Sequence, residues 1–263
     1  MGRNAVARPA NWSPIRPSLC RAPETGVHLS LANRGLVSRS MSLRGVLFTV
    51  SVAGLLILTG CSTGGPDFVA KHEPWRESEE NACLAAGVVR QSPFLEARSA
   101  LGGPSYCGAA RPFQMAAADQ GRVALRPPAL LRCPMIPQVE RWVARVVKPS
   151  AEYYFGQPVV EMKVAASYGC RPRNNQSGAK LSEHGYANAL DISSFTLADG
   201  RVVAVKGGWW GEERERLFLR AVHDGACSEF TTVLGPNSDK FHHDHFHVDL
   251  ARHGRDGRQR YCK

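Results

Sequence analysis

The histidine-rich segment at residues 242–249 places the strongest constraint on how this chain can fold. Every second residue from His245 to Asp249 is polar, and the residues between them are apolar. This period of two predicts a β-strand with one polar face and one apolar face. Because a face made of two imidazoles and a carboxylate needs a partner, we expect it to lie against a second polar segment.

That second segment spans residues 182–191. His184 occupies a glycine-containing loop, and residues 189–192 predict the start of a buried strand from which Asp191 points inward. An inward carboxylate is costly unless it is paired or bound to a metal. Zinc prefers imidazole and carboxylate ligands in a tetrahedral site, and a catalytic zinc keeps one position open for water. We therefore predict a Zn²⁺ site formed by His184, Asp191 and one histidine of the later segment.

The spacing of these residues resembles that of the LAS-type zinc peptidases. These are bacterial D-Ala-D-Ala carboxypeptidases, dipeptidases and murein endopeptidases, and the hedgehog signalling domain shares their fold. Their first motif is S-x-H-x-x-G-x-A-x-D, and this chain departs from it at Ala187, where the motif has glycine. Their second motif is a late His-x-His whose second histidine binds the metal. The resemblance implies an LAS/hedgehog-like zinc peptidase fold with His247 as the third ligand.

A closer resemblance is to the bacterial extensin-like C-terminal domain family, which looks like a branch of the same fold. The resemblance covers roughly residues 80–263 and implies one domain there. It rests on these marks of the sequence: residues 167–171 (SYGCR), 182–192, Trp209, 218–220 (FLR), Cys227, 234–236 (LGP) and 242–249.

The resemblance to LAS peptidases also implies catalytic roles. In many of these enzymes a glutamate three residues before the last ligand is the base, and Asp244 has that position here. In the murein endopeptidase branch a histidine two residues before the ligand takes part instead, which is His245. We favour Asp244 as the base and His245 as the group that holds the oxyanion, although either could instead orient His247.

Arg171 is the candidate substrate-binding residue. An arginine in a similar upstream position binds the substrate's terminal carboxylate in the LAS peptidases, and a guanidinium suits this role because it binds a carboxylate with two parallel hydrogen bonds. The alternative for Arg171 is a structural ion pair with a carboxylate of the same chain.

Residues 41–60 have the composition of a lipoprotein signal peptide. Arg44 precedes an apolar run that is too short for a transmembrane helix. The run ends in Leu-Thr-Gly-Cys, which fits the bacterial lipobox, so we predict that Cys61 is lipidated and anchors the protein to a membrane. The expected location is the periplasmic side of the cell envelope. By resemblance to known lipoprotein sorting, Ser62 favours the outer membrane.

The rest of the N-terminal part does not predict a folded unit. Residues 1–40 are rich in Arg, Pro and Ser and predict a disordered leader, or an extension upstream of a true start at Met41. Residues 61–79 predict a tether. Residues 1–60 hold seven Arg and one Glu, and the remainder holds 26 basic and 22 acidic residues. The net charge of +10 therefore gives no reason to expect a nucleic-acid partner.

Six further cysteines lie in the exported part of the chain. An even number in an oxidising compartment predicts three disulfides, and the sequence alone allows about 15 pairings. The six are Cys83, Cys107, Cys133, Cys170, Cys227 and Cys262.

Hydrophobic periodicity predicts an α+β domain in which helices flank an antiparallel sheet. The predicted helices span residues 78–89, 138–147 and 212–226. We expect the last of them to turn Leu217, Phe218, Ala221 and Val222 to the core. The predicted strands span residues 122–125, 159–166, 230–234 and 245–250, with a hairpin over 195–205.

Together these features predict a lipid-anchored, zinc-dependent peptidase whose substrate is the peptide part of peptidoglycan. The alternative is a non-catalytic, zinc-containing lipoprotein that binds peptidoglycan or has a structural role. The hedgehog domain, which keeps zinc without a known peptidase role, makes this alternative reasonable by resemblance.

Overall fold

The computed structural model describes residues 67–263. The predicted leader, signal peptide and lipidated Cys61 lie outside these residues, as does the first part of the predicted tether. None of the helices in residues 67–263 has the length and apolar composition needed to cross a membrane.

A mixed nine-stranded sheet forms the centre of the domain. The strands of the described residues are β1 (Leu95–Ala97), β2 (Leu101–Gly102), β3 (Gly108–Ala109), β4 (Phe113–Ala118), β5 (Val123–Leu131), β6 (Val159–Ala166), β7 (Ala189–Leu197), β8 (Val202–Ala204), β9 (Thr232–Leu234), β10 (Phe246–Asp249) and β11 (Tyr261–Cys262). In the large sheet the order is β1-β4-β5-β6-β7-β10-β9-β11, and β8 pairs with β7. Strands β2 and β3 form a separate ribbon.

Most neighbouring strands of the sheet are antiparallel, but β5 and β6 are parallel, and so are β9 and β11. The helices are α1 (Pro74–Ala85), α2 (Met135–Trp142), α3 (Lys148–Phe155), the single turn α4 (Val205–Gly208) and α5 (Glu213–Ala226). The prediction of mixed helices and strands with a mostly antiparallel sheet and flanking helices is confirmed. The two parallel pairs were not predicted.

The helices differ from their predicted limits for local reasons. Helix α1 begins at Pro74 rather than at residue 78, because proline suits the first helical position, where its missing N–H is not needed. Helices α2 and α3 are joined by π-helical turns at Val143–Val147, so the helical stretch extends well beyond the predicted residues 138–147. On α5, Phe218 and Val222 are buried as predicted, but Leu217 is 41% exposed.

Among the strands, β6 has the predicted limits, and β7 and β8 form the predicted hairpin. The hairpin turn uses Gly200, whose φ of +86° favours glycine. Strand β5 is longer than predicted because it continues through Pro127 and Pro128 to Leu131. Strands β9 and β10 are shorter than the predicted ranges by one or two residues at their ends.

One large hydrophobic core lies between the helices and the sheet. Trp142 of α2 is fully buried there and contacts Phe195 and Phe230 edge-on, with ring centroids 6.3 and 5.9 Å apart. Its indole N–H donates to the carbonyl oxygen of Val222 at 3.1 Å, so burial leaves this donor satisfied. These contacts fix α2 and α5 against the centre of the sheet.

Three disulfides cross-link the domain, as predicted, and the structure gives their pairing. Each bridge ties a loop or helix end to a distant segment, closing separations of 50, 63 and 35 residues. Restricting the unfolded chain in this way is worth on the order of 3–4 kcal/mol for each bridge. The pairs are Cys83–Cys133, Cys107–Cys170 and Cys227–Cys262.

Candidate metal centre

The pairing of β7 with β10 brings two of the predicted ligands together. Asp191 lies directly opposite His247 in the antiparallel register. Leu190 and Ile192, on either side of Asp191, are buried in the core, so Asp191 points to the other face of the sheet. His247 shares that face because directly paired residues project to the same side.

The third predicted ligand, His184, lies in the 3₁₀ turn Glu183–Tyr186, just before β7. The buried Glu183 carboxylate holds the turn, because it accepts hydrogen bonds from the Arg76 guanidinium at 2.7 and 2.8 Å. The turn ends at Ala187, which has a left-handed φ of 51°. Glycine adopts this conformation freely, whereas alanine adopts it at a cost of about 1 kcal/mol.

The structure places one donor atom of each predicted ligand at a common point. His184 Nε2 is 3.2 Å from His247 Nδ1 and 3.1 Å from Asp191 Oδ2. His247 Nδ1 is 2.8 Å from Asp191 Oδ1. All three residues are buried, with 2% exposure for His184, 4% for Asp191 and 8% for His247. A set of this kind could hold a metal ion.

The electrostatics of the cluster favour positive charge between these atoms. Burial raises the pKa of Asp191, but attraction to His184 and hydrogen bonds from both histidines hold that pKa well below its usual 3.8. Burial lowers the pKa of His247, but hydrogen bonds to Asp191 and Asp249 outweigh it and raise that pKa to about 10. An environment that stabilises an imidazolium so strongly would also stabilise a bound cation.

Hydrogen bonds on the far side of each imidazole orient the two histidines. His184 Nδ1–H donates to the carbonyl oxygen of Ser167, so Nε2 is the nitrogen that faces the cluster. His247 Nε2–H donates to Asp249 Oδ2 at 2.9 Å, so replacement of the Nδ1 proton by a bound metal ion would leave the Nδ1 lone pair directed at that ion. Partners of this kind fix the tautomer and ring orientation of metal-binding histidines and raise their basicity.

The donor set fits zinc in chemistry and in spacing. Ligand atoms 2.0–2.2 Å from one zinc ion would be about 3.3 Å apart in a tetrahedral site. The separations of 2.8–3.2 Å among the two imidazole nitrogens and the two Asp191 carboxylate oxygens are slightly shorter. Two imidazoles and one carboxylate also form a ligand set that leaves a fourth position of zinc open.

The two predicted catalytic residues take different positions relative to this cluster. His245 lines the cleft, and its Nε2 is 3.6 Å from Asp191 Oδ2. Asp244 lies on the side of the His245 imidazole that faces away from the cluster, where its Oδ1 accepts a hydrogen bond from His245 Nδ1–H at 2.9 Å. This hydrogen bond is the main cause of a lowered pKa for Asp244. His245 Nε2 is therefore the nitrogen of this ring that faces the cluster, and Asp244 orients the ring from the opposite side.

His242 forms a second histidine–aspartate pair beside the cluster. Its Nδ1–H donates to Asp239 Oδ1 at 2.8 Å, and its ring centroid is 5.3 Å from that of His245 and 5.7 Å from that of His247. Burial lowers the pKa of His242 despite the neighbouring carboxylate. His243, by contrast, is exposed, as expected for a solvent-facing neighbour.

The cluster lies on the wall of a cleft of about 540 Å³, and Arg171 lines the same cleft. Arg171 is half-buried, and within residues 67–263 no carboxylate lies in salt-bridge distance of its guanidinium. Its loop is held by the Cys107–Cys170 bridge and by the hydrogen bond from Ser182 N–H to the Arg171 carbonyl oxygen at 3.0 Å. The structural ion pair considered for Arg171 is therefore absent from the described part of the chain.

Three supporting groups were missed or underrated by sequence reasoning. The period-two spacing of Asp249 from His247 is the signal that places both side chains on one face, but it does not predict the hydrogen bond between them. Asp239 carried no signal, since it precedes the histidine-rich segment and its role depends on a turn. Ser167 acts through its backbone carbonyl, which no side-chain pattern reveals.

The fold and the site define a class of protein: a disulfide-bonded domain of mixed helices and strands with a buried His-Asp-His cluster on the wall of a cleft. A family model described as Extensin-like protein C-terminus matches residues 81–263. The chain belongs to this extensin-like family, as its sequence marks predicted. Searches of curated proteins and of solved structures each found no match.

Proposed function

We propose that this protein is a zinc-dependent peptidase that hydrolyses the stem or cross-link peptides of peptidoglycan. The observation that carries the proposal is the convergence of His184 Nε2, His247 Nδ1 and the Asp191 carboxylate at the wall of a large cleft. Two imidazoles and a carboxylate buried together beside a cleft are typical of a functional site.

His184, Asp191 and His247 would hold the zinc ion. Zinc bound there would lower the pKa of a coordinated water and polarise the scissile carbonyl group. Hydrolysis also requires a proton to leave water and a proton to reach the leaving amine. His245 Nε2 can accept and return this proton, because the hydrogen bond to Asp244 fixes the Nδ1–H tautomer and stabilises the imidazolium that forms.

Arg171 would bind a carboxylate of the substrate in the same cleft. A guanidinium without a carboxylate partner among the described residues remains free to form two parallel hydrogen bonds with a ligand carboxylate. The proposal includes an LAS/hedgehog-like fold, which the two motifs on the turn before β7, on β7 and on β10 support.

The proposal also places the protein on the periplasmic side of the cell envelope, anchored by a lipid at Cys61. The lipobox supports the anchor, and the three disulfides fit an oxidising compartment. A lipoprotein in that location would have direct access to peptidoglycan.

The test combines metal analysis with digestion of purified peptidoglycan by the full chain in detergent. We expect about one zinc ion per chain and new peptide products that disappear with chelator. His184→Ala should abolish both zinc retention and products. His243→Ala removes an exposed histidine from the same part of the sequence and should change neither, so it is the matched control.

The possible results separate the competing functions. Bound zinc without any product would refute the peptidase and favour a zinc-containing binding or structural lipoprotein. Undiminished hydrolysis by the zinc-free protein would refute the metal site itself. Products whose masses match a cut within the stem or the cross-link would name the bond that is hydrolysed.

A further inference from the structure

A second cavity of about 300 Å³ continues the cleft away from the metal cluster. The two cavities share four lining residues, which lie at their common boundary: Arg173, Glu183, Ala251 and His253. The second cavity is also lined by Lys71 and Lys180. We call the part of the surface formed by Lys71, Arg173 and Lys180 the cationic groove.

The charges of the cationic groove are largely unneutralised. Among residues 67–263, no carboxylate forms a salt bridge with Lys71 or Lys180. Arg173 is 3.9 Å from Glu183, but that carboxylate is already held by two shorter hydrogen bonds from Arg76. Glu73 and Glu183 also line this cavity, but both carboxylates are held by Arg76, so the remaining excess of positive charge favours the binding of an anion.

Backbone pairing holds two of these cations side by side. Arg173 N–H donates to the Lys180 carbonyl oxygen at 2.8 Å, so the loop between them closes on itself. Val69 pairs with the same loop, donating to Ala179 and accepting from Leu181 at 2.9 and 2.8 Å. The backbone positions from which the Arg173 and Lys180 side chains extend are therefore fixed before a ligand binds. This order in the free protein lowers the entropic cost of binding.

We propose that the cationic groove binds free carboxylates of an acidic peptide whose adjacent segment lies in the cleft at the metal cluster. Arg171, Arg173 and Lys180 then form a line of positive charge that leads from the cluster into the second cavity. This inference rests on the proposed function, because it names the part of the substrate that is recognised beyond the reacting bond. Peptides whose carboxylates are amidated bind poorly.

The experiment compares two double variants of equal net charge in the full chain. Arg173→Gln/Lys180→Gln removes the groove cations, and Lys163→Gln/Arg214→Gln removes one lysine and one arginine that are exposed outside both cavities. The probe is a fluorescent, cross-linked peptidoglycan peptide with free carboxylates, and a second sample has these carboxylates amidated. Anisotropy gives Kd for the zinc-loaded and the chelator-treated protein, and mass spectrometry follows cleavage in the zinc-loaded samples.

We expect about tenfold weaker binding of the acidic peptide by the groove variant, since each exposed ion pair contributes up to about a fivefold factor. The control variant should bind as the unsubstituted protein does. The unsubstituted protein should prefer the acidic peptide over the amidated one by a similar factor, and high salt should remove the preference.

Equal Kd values for the two double variants, or for the two peptides, would overturn the groove. If the Kd values were equal but the peptide were cleaved in a zinc-dependent way, the proposed peptidase activity would be supported and the proposed role of the cationic groove would be refuted. Charge-dependent binding without any cleavage would leave the groove standing and refute the peptidase. Absence of binding of the acidic peptide by the unsubstituted protein would overturn the groove directly.

Discussion

Substituting Asp249 with asparagine tests whether His247 Nδ1 is a metal ligand. The buried Asp249 carboxylate accepts from His247 Nε2–H through Oδ2 and from Ala251 N–H through Oδ1, both at 2.9 Å. Asparagine has one acceptor oxygen and an NH₂ group, so it can satisfy only one of these donors and directs a donor at the other. It also removes the negative charge that makes His247 more basic.

The expected loss of zinc affinity is 10–100-fold, which corresponds to about 1.4–2.7 kcal/mol. The zinc-free protein should lose stability as well, because the hydrogen bond from a charged imidazole to Asp249 is worth about 1.5–3 kcal/mol. Both effects come from one contact, so they should appear together in the same variant.

The assay is a competition titration of zinc against a coloured chelator at neutral pH, together with urea unfolding of the zinc-free protein. Asp224→Asn is the matched control, since Asp224 accepts from His223 Nδ1–H at 2.9 Å, is itself exposed, and lies with His223 outside the lining of the cleft. The control should bind zinc as the unsubstituted protein does. A zinc affinity of Asp249→Asn within about twofold of the unsubstituted protein would refute His247 Nδ1 as a ligand.

Four further substitutions test the fold by urea unfolding. Burial raises the pKa of Asp119, but the hydrogen bond from Lys148 outweighs this effect and holds that pKa below 3.8. Asp119→Asn should therefore lower the free energy of unfolding by up to about 1 kcal/mol above pH ~4, and this difference should shrink as the pH falls below that value. Phe218→Ala should cost about 3–5 kcal/mol because Phe218 is fully buried, whereas Leu217→Ala should cost under about 1 kcal/mol. Cys170→Ser opens the bridge that holds the cleft loop and should cost about 2–4 kcal/mol.

The parts of the fold that the sequence predicted are those with a clear local period. Strand β6 alternates between more and less exposed residues from Glu161 to Ala165, and its limits were predicted without error. The polar face of β10 and the inward carboxylate of β7 each required a polar partner. Two such segments in one chain indicate a contact between residues that are distant in the sequence. Asp191 and His247 were therefore predicted to meet, although nothing in their separate segments specified the register.

The parts that the sequence could not predict depend on contacts between distant segments. Strand β5 was predicted to stop at Leu125, and Pro127 and Pro128 beyond it cannot donate to a strand ladder. The strand continues because these prolines fall between its pairing with β6, which ends at Arg126, and its pairing with the first residues of β4, which begins at Ala129. The disulfide pairing likewise depends on which loops the finished fold brings together.

The difference between local sequence patterns and contacts in the folded chain also explains why the sequence favours one order for Asp244 and His245 and the proposed function uses the other. The spacing from His247 favours Asp244, because residue counts describe position along the chain and not the direction of a side chain. The turn before β10 directs His245 Nε2 at the cluster and leaves Asp244 on the outer side of the ring, as the hydrogen bond between them requires. A carboxylate on that side of the ring faces away from the cluster, but it can set the tautomer of His245, the residue that we propose transfers the proton. The shorter side chain of aspartate, which argues against it as the base, is no obstacle to this second role.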